Sequence, residues 1–169
     1  MIDWNTIIEK HGPSVWQTAY RLLGNHEDAA DCFQDTFVSA LGFCRRQQVR
    51  NFSALLARLA TARAIDQLRR RFRRVPSDSD FADWPTVECE NASPQEQVEQ
   101  QELVSRVRQS LSELPPMEAQ VFCLRYLNEM SYRQIADQLG ITTSSTGVLL
   151  HRARTRLRES IELSAQESE

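Results

Sequence analysis

Arginine is the residue type in this sequence with the clearest chemical potential. All but one of the 20 basic residues are arginines, the exception being Lys10. A guanidinium group binds phosphate oxygens or a base edge in a bidentate way that an ammonium group cannot match. The two stretches with the most arginines are one with Arg63, Arg69, Arg70, Arg71, Arg73 and Arg74 and another with Arg152, Arg154, Arg156 and Arg158. Both clusters predict contacts with nucleic-acid phosphates, although a solvated helix end or a heparin-type patch would have a similar composition.

The distribution of charge supports this interpretation better than the net charge of −3 does. Residues 75–102 contain eight acids and no lysine or arginine, so the rest of the chain carries a net charge of +5. Electrostatic steering depends on the local electrostatic potential rather than on the net charge of the chain. The sequence therefore describes two basic bodies on either side of an acidic segment.

Composition excludes several other classes of protein. A hydrophobic fraction of 41% with 25% charged residues is typical of a folded, water-soluble chain. No stretch approaches the roughly 18 apolar residues of a membrane span, and the first residues do not resemble a signal peptide. The widely spaced Cys32, Cys44, Cys89 and Cys123 predict reduced thiols rather than a zinc site. We expect a cytoplasmic protein that is not itself membrane-inserted, binds no cofactor or metal, and is not an enzyme, because no catalytic constellation is present.

The elements that must position the arginines are predicted to be helices throughout. Glycine and proline interrupt the chain where helices should end, and no alternating pattern long enough for a sheet lies between them. We expect a helix over Asp3–His11, a break at Gly12 and Pro13, and a second helix that ends at Gly24. The fold class is all-α. Its two small helical domains span residues 1–75 and 95–163, with a flexible acidic linker over 76–94 and an acidic tail over 164–169.

Two further helices complete the first domain. Asn25 is a suitable N-cap for a helix whose apolar stripe is predicted to be Ala29, Phe33, Phe37 and Leu41. The opposite face of that helix carries Asp31, Gln34 and Asp35, which on physical grounds alone is a solvated face without a function. A longer helix should begin near Asn51 and end in the first arginine cluster.

The second domain contains the most informative motif. Ser131 and Gln134 form a capping box, Ile135, Ala136 and Leu139 make an apolar face, and Gly140 permits a tight turn before another helix. Such a helix-turn-helix presents its second helix to the major groove of DNA. A purely structural helical hairpin is the alternative, and the arginines that follow favour DNA binding.

Taken together, these segments resemble the extracytoplasmic-function sigma factors of bacterial RNA polymerase. The stretch Asn25–Phe37 is similar to the family's polymerase-binding helix, which implies that Asp31, Gln34 and Asp35 contact the clamp helices of the largest subunit of core RNA polymerase. Residues 64–70 are similar to the helix that engages the minus-ten promoter element. Earlier in the same predicted helix the sequence departs from the family at two positions. Leu55 replaces a tryptophan, and Ala62 replaces an asparagine that reads a minus-ten base in some relatives.

The resemblance assigns roles to individual side chains. Arg63, Arg69 and Arg70 would contact phosphates near the minus-ten element. At the minus-thirty-five element His151 and Arg152 would read bases, while Arg133, Ser144, Ser145 and Arg154 would contact phosphates. The resemblance also implies promoter DNA and an anti-sigma factor as partners. The alternative function is a stand-alone helix-turn-helix transcriptional regulator, which would account for the C-terminal half only.

Overall fold

The computed structural model describes residues 1–74 and 93–166, and both stretches are helical, which confirms the all-α prediction. Predictions that concern residues 75–92, including Cys89 and the greater part of the acidic linker, lie outside the described residues. So does the end of the acidic tail. The described stretches contain no strand, and their seven helices are α1 (Trp4–Leu23), α2 (His26–Cys44), α3 (Phe52–Arg73), α4 (Pro94–Glu113), α5 (Pro116–Tyr126), α6 (Tyr132–Leu139) and α7 (Thr143–Gln166).

Side-chain caps fix the starts of the first three helices. Asp3 accepts hydrogen bonds from the backbone N–H groups of Asn5 and Thr6 at the start of α1. Asn25 caps α2 and Asn51 caps α3, each accepting from the N–H three residues later. These bonds satisfy donors that the first turn of a helix cannot pair internally. The predicted starts of α2 and α3 are therefore confirmed.

The predicted break at Gly12 and Pro13 is wrong, because α1 continues through both residues. A proline inside a helix removes one backbone hydrogen bond and costs about 3 kcal/mol. Here Pro13 lies on the exposed side, whereas Gly12 is buried against the ring of Phe33. Trp4 and Ile7 before the proline and Val15 after it belong to one apolar cluster. Continuing the helix keeps that cluster together, and this packing outweighs the local cost.

The apolar stripe of α2 also differs from the prediction at its end. Leu41 is 38% exposed, so its predicted burial is wrong. Ala29, Cys32, Thr36, Phe37 and Ala40 are the residues of α2 that are buried. Most of these side chains are small, which lets α2 pack closely against α1 and α3. Thr36 satisfies its buried hydroxyl by donating to the Cys32 carbonyl at 2.7 Å.

The helix-turn-helix has the predicted construction. In the capping box of α6, the Ser131 hydroxyl accepts from the Gln134 N–H while the Gln134 side chain accepts from the Ser131 N–H. Gly140 adopts φ 66°, the left-handed conformation that ends α6. Ile135 and Ala136 are buried, and α7 follows directly.

Replacing Ser131 with alanine is expected to lower the free energy of unfolding by about 1 kcal/mol, because the Gln134 N–H loses its acceptor. Urea denaturation followed by circular dichroism would measure this change. Ser14→Ala is a suitable control, since Ser14 is an exposed residue in the interior of α1. Equal stability of the two variants would show that the cap does not contribute.

The first group of helices, α1 to α3, packs against the second group, α4 to α7. Helix α3 contacts α4, α5 and α6, in addition to α1 and α2. The largest apolar cluster contains buried residues from both groups, among them Leu22 and Leu68 from the first and Leu111 and Leu157 from the second. A second cluster joins Ala54 of α3 to the core of the helix-turn-helix. The domains therefore share buried surface.

Candidate nucleic-acid interface

Helix α7 exposes the face that the sequence assigned to DNA. Its inward stripe consists of Thr146, Leu150, Ala153 and Leu157, all of them buried. The predicted contact residues lie outside that stripe and are all exposed, namely Ser144, Ser145, His151, Arg152 and Arg154. Thr142 organises the first turn by accepting from the Ser145 N–H at 3.0 Å. The helix thus presents hydroxyl, imidazole and guanidinium groups along one side.

The neighbouring arginines have different environments. Arg133, in the first turn of α6, is exposed as predicted. Arg156 forms an ion pair with Glu118, with its Nε 3.1 Å from a carboxylate oxygen of a side chain that is only 5% exposed. Burial of that carboxylate makes Arg156 a structural partner of α5. Arg156, a member of the second arginine cluster, thus has an acidic partner within the protein.

Sequence reasoning missed Val148 as a surface residue. Val148 is 50% exposed and lies on α7 between Ser144 and His151, at a spacing that puts all three on one side of the helix. An apolar side chain at this place can pack against the methyl group of thymine in the major groove. The spacing of four and three residues was the signal that could have identified it.

The three arginines predicted to contact the minus-ten element do not lie on one surface. Arg63 is exposed and donates to the Ser39 hydroxyl at 2.9 Å. Arg70 is also exposed and forms an ion pair with Asp66 on its own helix at 2.5 Å. Arg69 is half-buried and points towards α4 instead. Two of the three side chains are therefore available to solvent.

A cleft of about 600 Å³ lies beside the start of α3. One wall includes Phe43, Leu55 and Arg58, and the other includes Asp137 and Gln138 of α6. The Arg58 guanidinium lies 5.4 Å from the centroid of the Phe43 ring, and burial lowers the pKa of Arg58. Leu55, which departs from the family pattern, is 2% exposed. Ala62, the other departure, is half-buried one helical turn before Asp66.

The predicted polymerase-binding face of α2 is exposed along its length. Asp31, Gln34 and Asp35 all lie on the solvent side of the helix. Val38, at 69% exposure, and Leu41 extend this face by two further turns. The surface therefore combines carboxylates and an amide with an apolar end, a composition suited to binding another protein.

Two family models match most of the chain. Residues 7–74 match sigma-70 region 2, and residues 105–157 match sigma-70 region 4. Among similar proteins, the ECF RNA polymerase sigma factor SigE of Mycolicibacterium smegmatis is 29% identical over 159 residues, which are 94% of this chain and 62% of SigE. The ECF RNA polymerase sigma factor SigW of Bacillus subtilis is 27% identical over 162 residues, covering 92% of this chain and 87% of SigW. The chain is an extracytoplasmic-function sigma factor of the sigma-70 family.

Solved structures of other sigma factors share the fold. The sigma factor RpoE of Bartonella quintana, in complex with the anti-sigma factor NepR, has a TM-score of 0.56 and 20% identity, over 95% of this chain and 97% of RpoE. CnrH, in complex with the cytosolic domain of CnrY, has a TM-score of 0.61 and 24% identity, over 94% of this chain and 87% of CnrH. The first three helices of this sigma factor thus correspond to region 2, and the helix-turn-helix lies in region 4.

Proposed function

We propose that this sigma factor binds core RNA polymerase and directs transcription initiation at a specific set of promoters. The observation that carries the proposal is the presence of regions 2 and 4 in one chain, each with an exposed surface of the required chemistry. A stand-alone regulator would need the helix-turn-helix only. The chemistry of RNA synthesis would belong to the polymerase, and this chain would supply binding.

The polymerase contact in this proposal is the exposed face of α2. Asp31, Gln34 and Asp35 would meet the clamp helices of the largest polymerase subunit. Carboxylates on an exposed face pair with basic groups of a partner and also steer the encounter. Val38 and Leu41 would supply the apolar part of the same contact, since both are exposed on this helix.

The contact with the minus-thirty-five element would be made by α7. His151 and Arg152 would reach base edges. Val148, one turn nearer the start of the helix, would pack on a thymine methyl group. Ser144 and Ser145, in the first turn, would bind a phosphate together with the backbone N–H groups there. Arg133 and Arg154 would bind phosphates on either side.

The contact with the minus-ten element would be made by α3. Arg63 and Arg70 are exposed and can reach phosphates directly. Arg69 would join them when its present acceptors are released. Position 62 carries an alanine, whose side chain has no polar group that could read a base. We therefore propose no base-reading residue on α3.

An anti-sigma factor is proposed as a further partner, because the solved relatives RpoE and CnrH are each bound to a second protein, NepR and the cytosolic domain of CnrY. None of the helices in the described part of the chain is long and apolar enough to cross a membrane. We propose that the protein acts in the cytoplasm, where core polymerase and promoter DNA are found.

Transcription in vitro from a promoter library, with core polymerase in the presence and absence of this protein, tests the proposal. New start sites that require the protein would support it, and their aligned upstream sequences would give the promoter. Binding of DNA without any new start site would instead favour a stand-alone regulator. Retention of the chain on immobilised core polymerase is an independent check.

A further inference from the structure

The exposed side of α7 has an apolar centre between its polar groups. At about 3.6 residues per turn, Val148 lies almost opposite the buried Thr146 and Leu150, and it is 50% exposed. Ser144 and His151, about one turn before and after it, are exposed as well. The outermost residue of this part of the helix is therefore one that has no hydrogen-bonding group in its side chain.

Gly147 widens this apolar centre on the side that faces α6. A Cβ placed on it would lie 3.7 Å from Cε2 of the Tyr132 ring, which is an ordinary van der Waals contact. The residue lies inside α7 with a negative φ, so neither crowding nor backbone conformation requires a glycine here. A glycine inside a helix is less stable than an alanine. What it provides is room for another molecule to approach the helix closely.

The Tyr132 ring forms the other side of this space. Tyr132 is the first residue of α6 and is 41% exposed. The Arg125 guanidinium lies 5.4 Å from the centroid of its ring in a cation–π contact, and it donates to the Met130 carbonyl at 2.9 Å. Arg125 therefore holds the ring from α5. The Tyr132 ring, Gly147 and Val148 together form an apolar notch between α6 and α7.

The charges around the notch favour DNA as its occupant. Arg133 follows Tyr132 in the chain and is exposed. Arg152 lies about one turn beyond Val148 and is exposed too. Cations on both sides suit a polyanion. The notch also belongs to the helix-turn-helix of region 4, and the second helix of such a motif enters the major groove.

The major groove offers one apolar group to such a notch. Thymine carries a methyl group at C5, whereas the other groups that distinguish base pairs there are hydrogen-bond donors and acceptors. Cytosine has a hydrogen atom at the same position, and methylation of its C5 puts a methyl group there. The notch therefore fits a pyrimidine with a methyl group at C5.

We propose that the notch formed by Tyr132, Gly147 and Val148 reads one base pair of the minus-thirty-five element through the C5 methyl group of thymine or 5-methylcytosine. The proposal deepens the proposed function and rests on it for placing α7 in the major groove. Val148 and His151 are about 4.5 Å apart along the helix, or about one to two base pairs. Binding to this element then depends on the methylation of the DNA as well as on its sequence.

Replacement of single thymines with deoxyuridine tests the proposal, because it removes the methyl group and keeps every hydrogen-bonding group. The duplex is selected from random-sequence DNA by the full chain, alone and bound to core polymerase, and each thymine on either strand is replaced in turn. Burial of one methyl group predicts that the wild type binds one of the uracil duplexes about fourfold more weakly. A cytosine at the same position, paired with guanine, should be bound about fourfold more tightly after methylation of its C5.

Variants of the notch show whether its own residues read the methyl group. Val148→Ser is expected to bind the thymine and uracil duplexes equally. Val98→Ser is the matched control, because Val98 is a valine of similar exposure, 54%, on α4, and this variant should keep the fourfold difference. Tyr132→Ala should reduce the difference, whereas Tyr132→Phe, which keeps the ring, should retain it. Helix content by circular dichroism would show that each variant is folded.

Three results would overturn the proposal. They are equal affinity of the wild type for every thymine and uracil duplex, a full difference retained by Val148→Ser or Tyr132→Ala, and failure of the wild type to select any DNA. Transcription from the promoter library judges the proposed function separately. A methyl effect without any new start site would contradict the proposed function alone, and new start sites without a methyl effect would contradict the notch alone.

Discussion

Replacing Gln34 and Asp35 together with alanine is expected to reduce transcription that depends on this protein by roughly 30-fold or more. Loss of a hydrogen-bonded charge at a protein interface costs about 2–5 kcal/mol, which corresponds to roughly 30- to 5,000-fold in affinity for the partner. Both side chains are exposed on α2. The effect should therefore appear in binding to core polymerase, with the fold unchanged.

The measurement is a titration of core polymerase with wild type and variant, read by transcript yield and by co-elution. Glu9→Ala provides the control, because Glu9 is an exposed carboxylate on a different helix, α1. Recovery of full transcript yield at high variant concentration would agree with a binding defect. Unchanged affinity for polymerase would show that Gln34 and Asp35 are not part of the interface.

Replacing Arg152 with alanine is expected to weaken binding to the minus-thirty-five element by about 1–3 kcal/mol, or roughly 5- to 150-fold. The loss should be largest for the preferred sequence, because a bidentate contact discriminates between base pairs. A competition assay over all single-base variants of the element would show relaxed preference at one position.

Arg154→Ala gives a matched comparison on the same helix. A lost phosphate contact weakens binding to all sequences about equally and lowers the slope of log affinity against log salt by about one. If Arg152→Ala shows this uniform pattern and Arg154→Ala the selective one, the assigned roles of the two arginines are reversed.

Local sequence signals were sufficient for much of the fold. Asn25, Asn51 and Ser131 cap helices where the sequence predicted helix starts, because each cap depends on residues within three positions. His151 and Arg152, to which the family resemblance assigned base contacts, are both exposed on α7. Contacts confined to one or two turns can be deduced from spacing alone.

Features that depend on distant residues were not predictable in this way. Pro13 is retained inside α1 because residues on both sides of it pack against α2 and α3. The exposure of Leu41 and the engagement of Arg69 by α4 likewise depend on tertiary packing. The first arginine cluster looked uniform in the sequence, yet Arg69 and Arg70 differ completely in their partners.

The apolar cluster shared by regions 2 and 4 links their folding as well as their positions. Leu22 and Leu68 of one region and Leu111 of the other lose water contact together, so their burial contributes to a single free-energy difference. A core substitution in either region then lowers the melting temperature of both. We therefore expect the two regions of the free protein to unfold in one cooperative transition, and each region alone to be less stable than the whole.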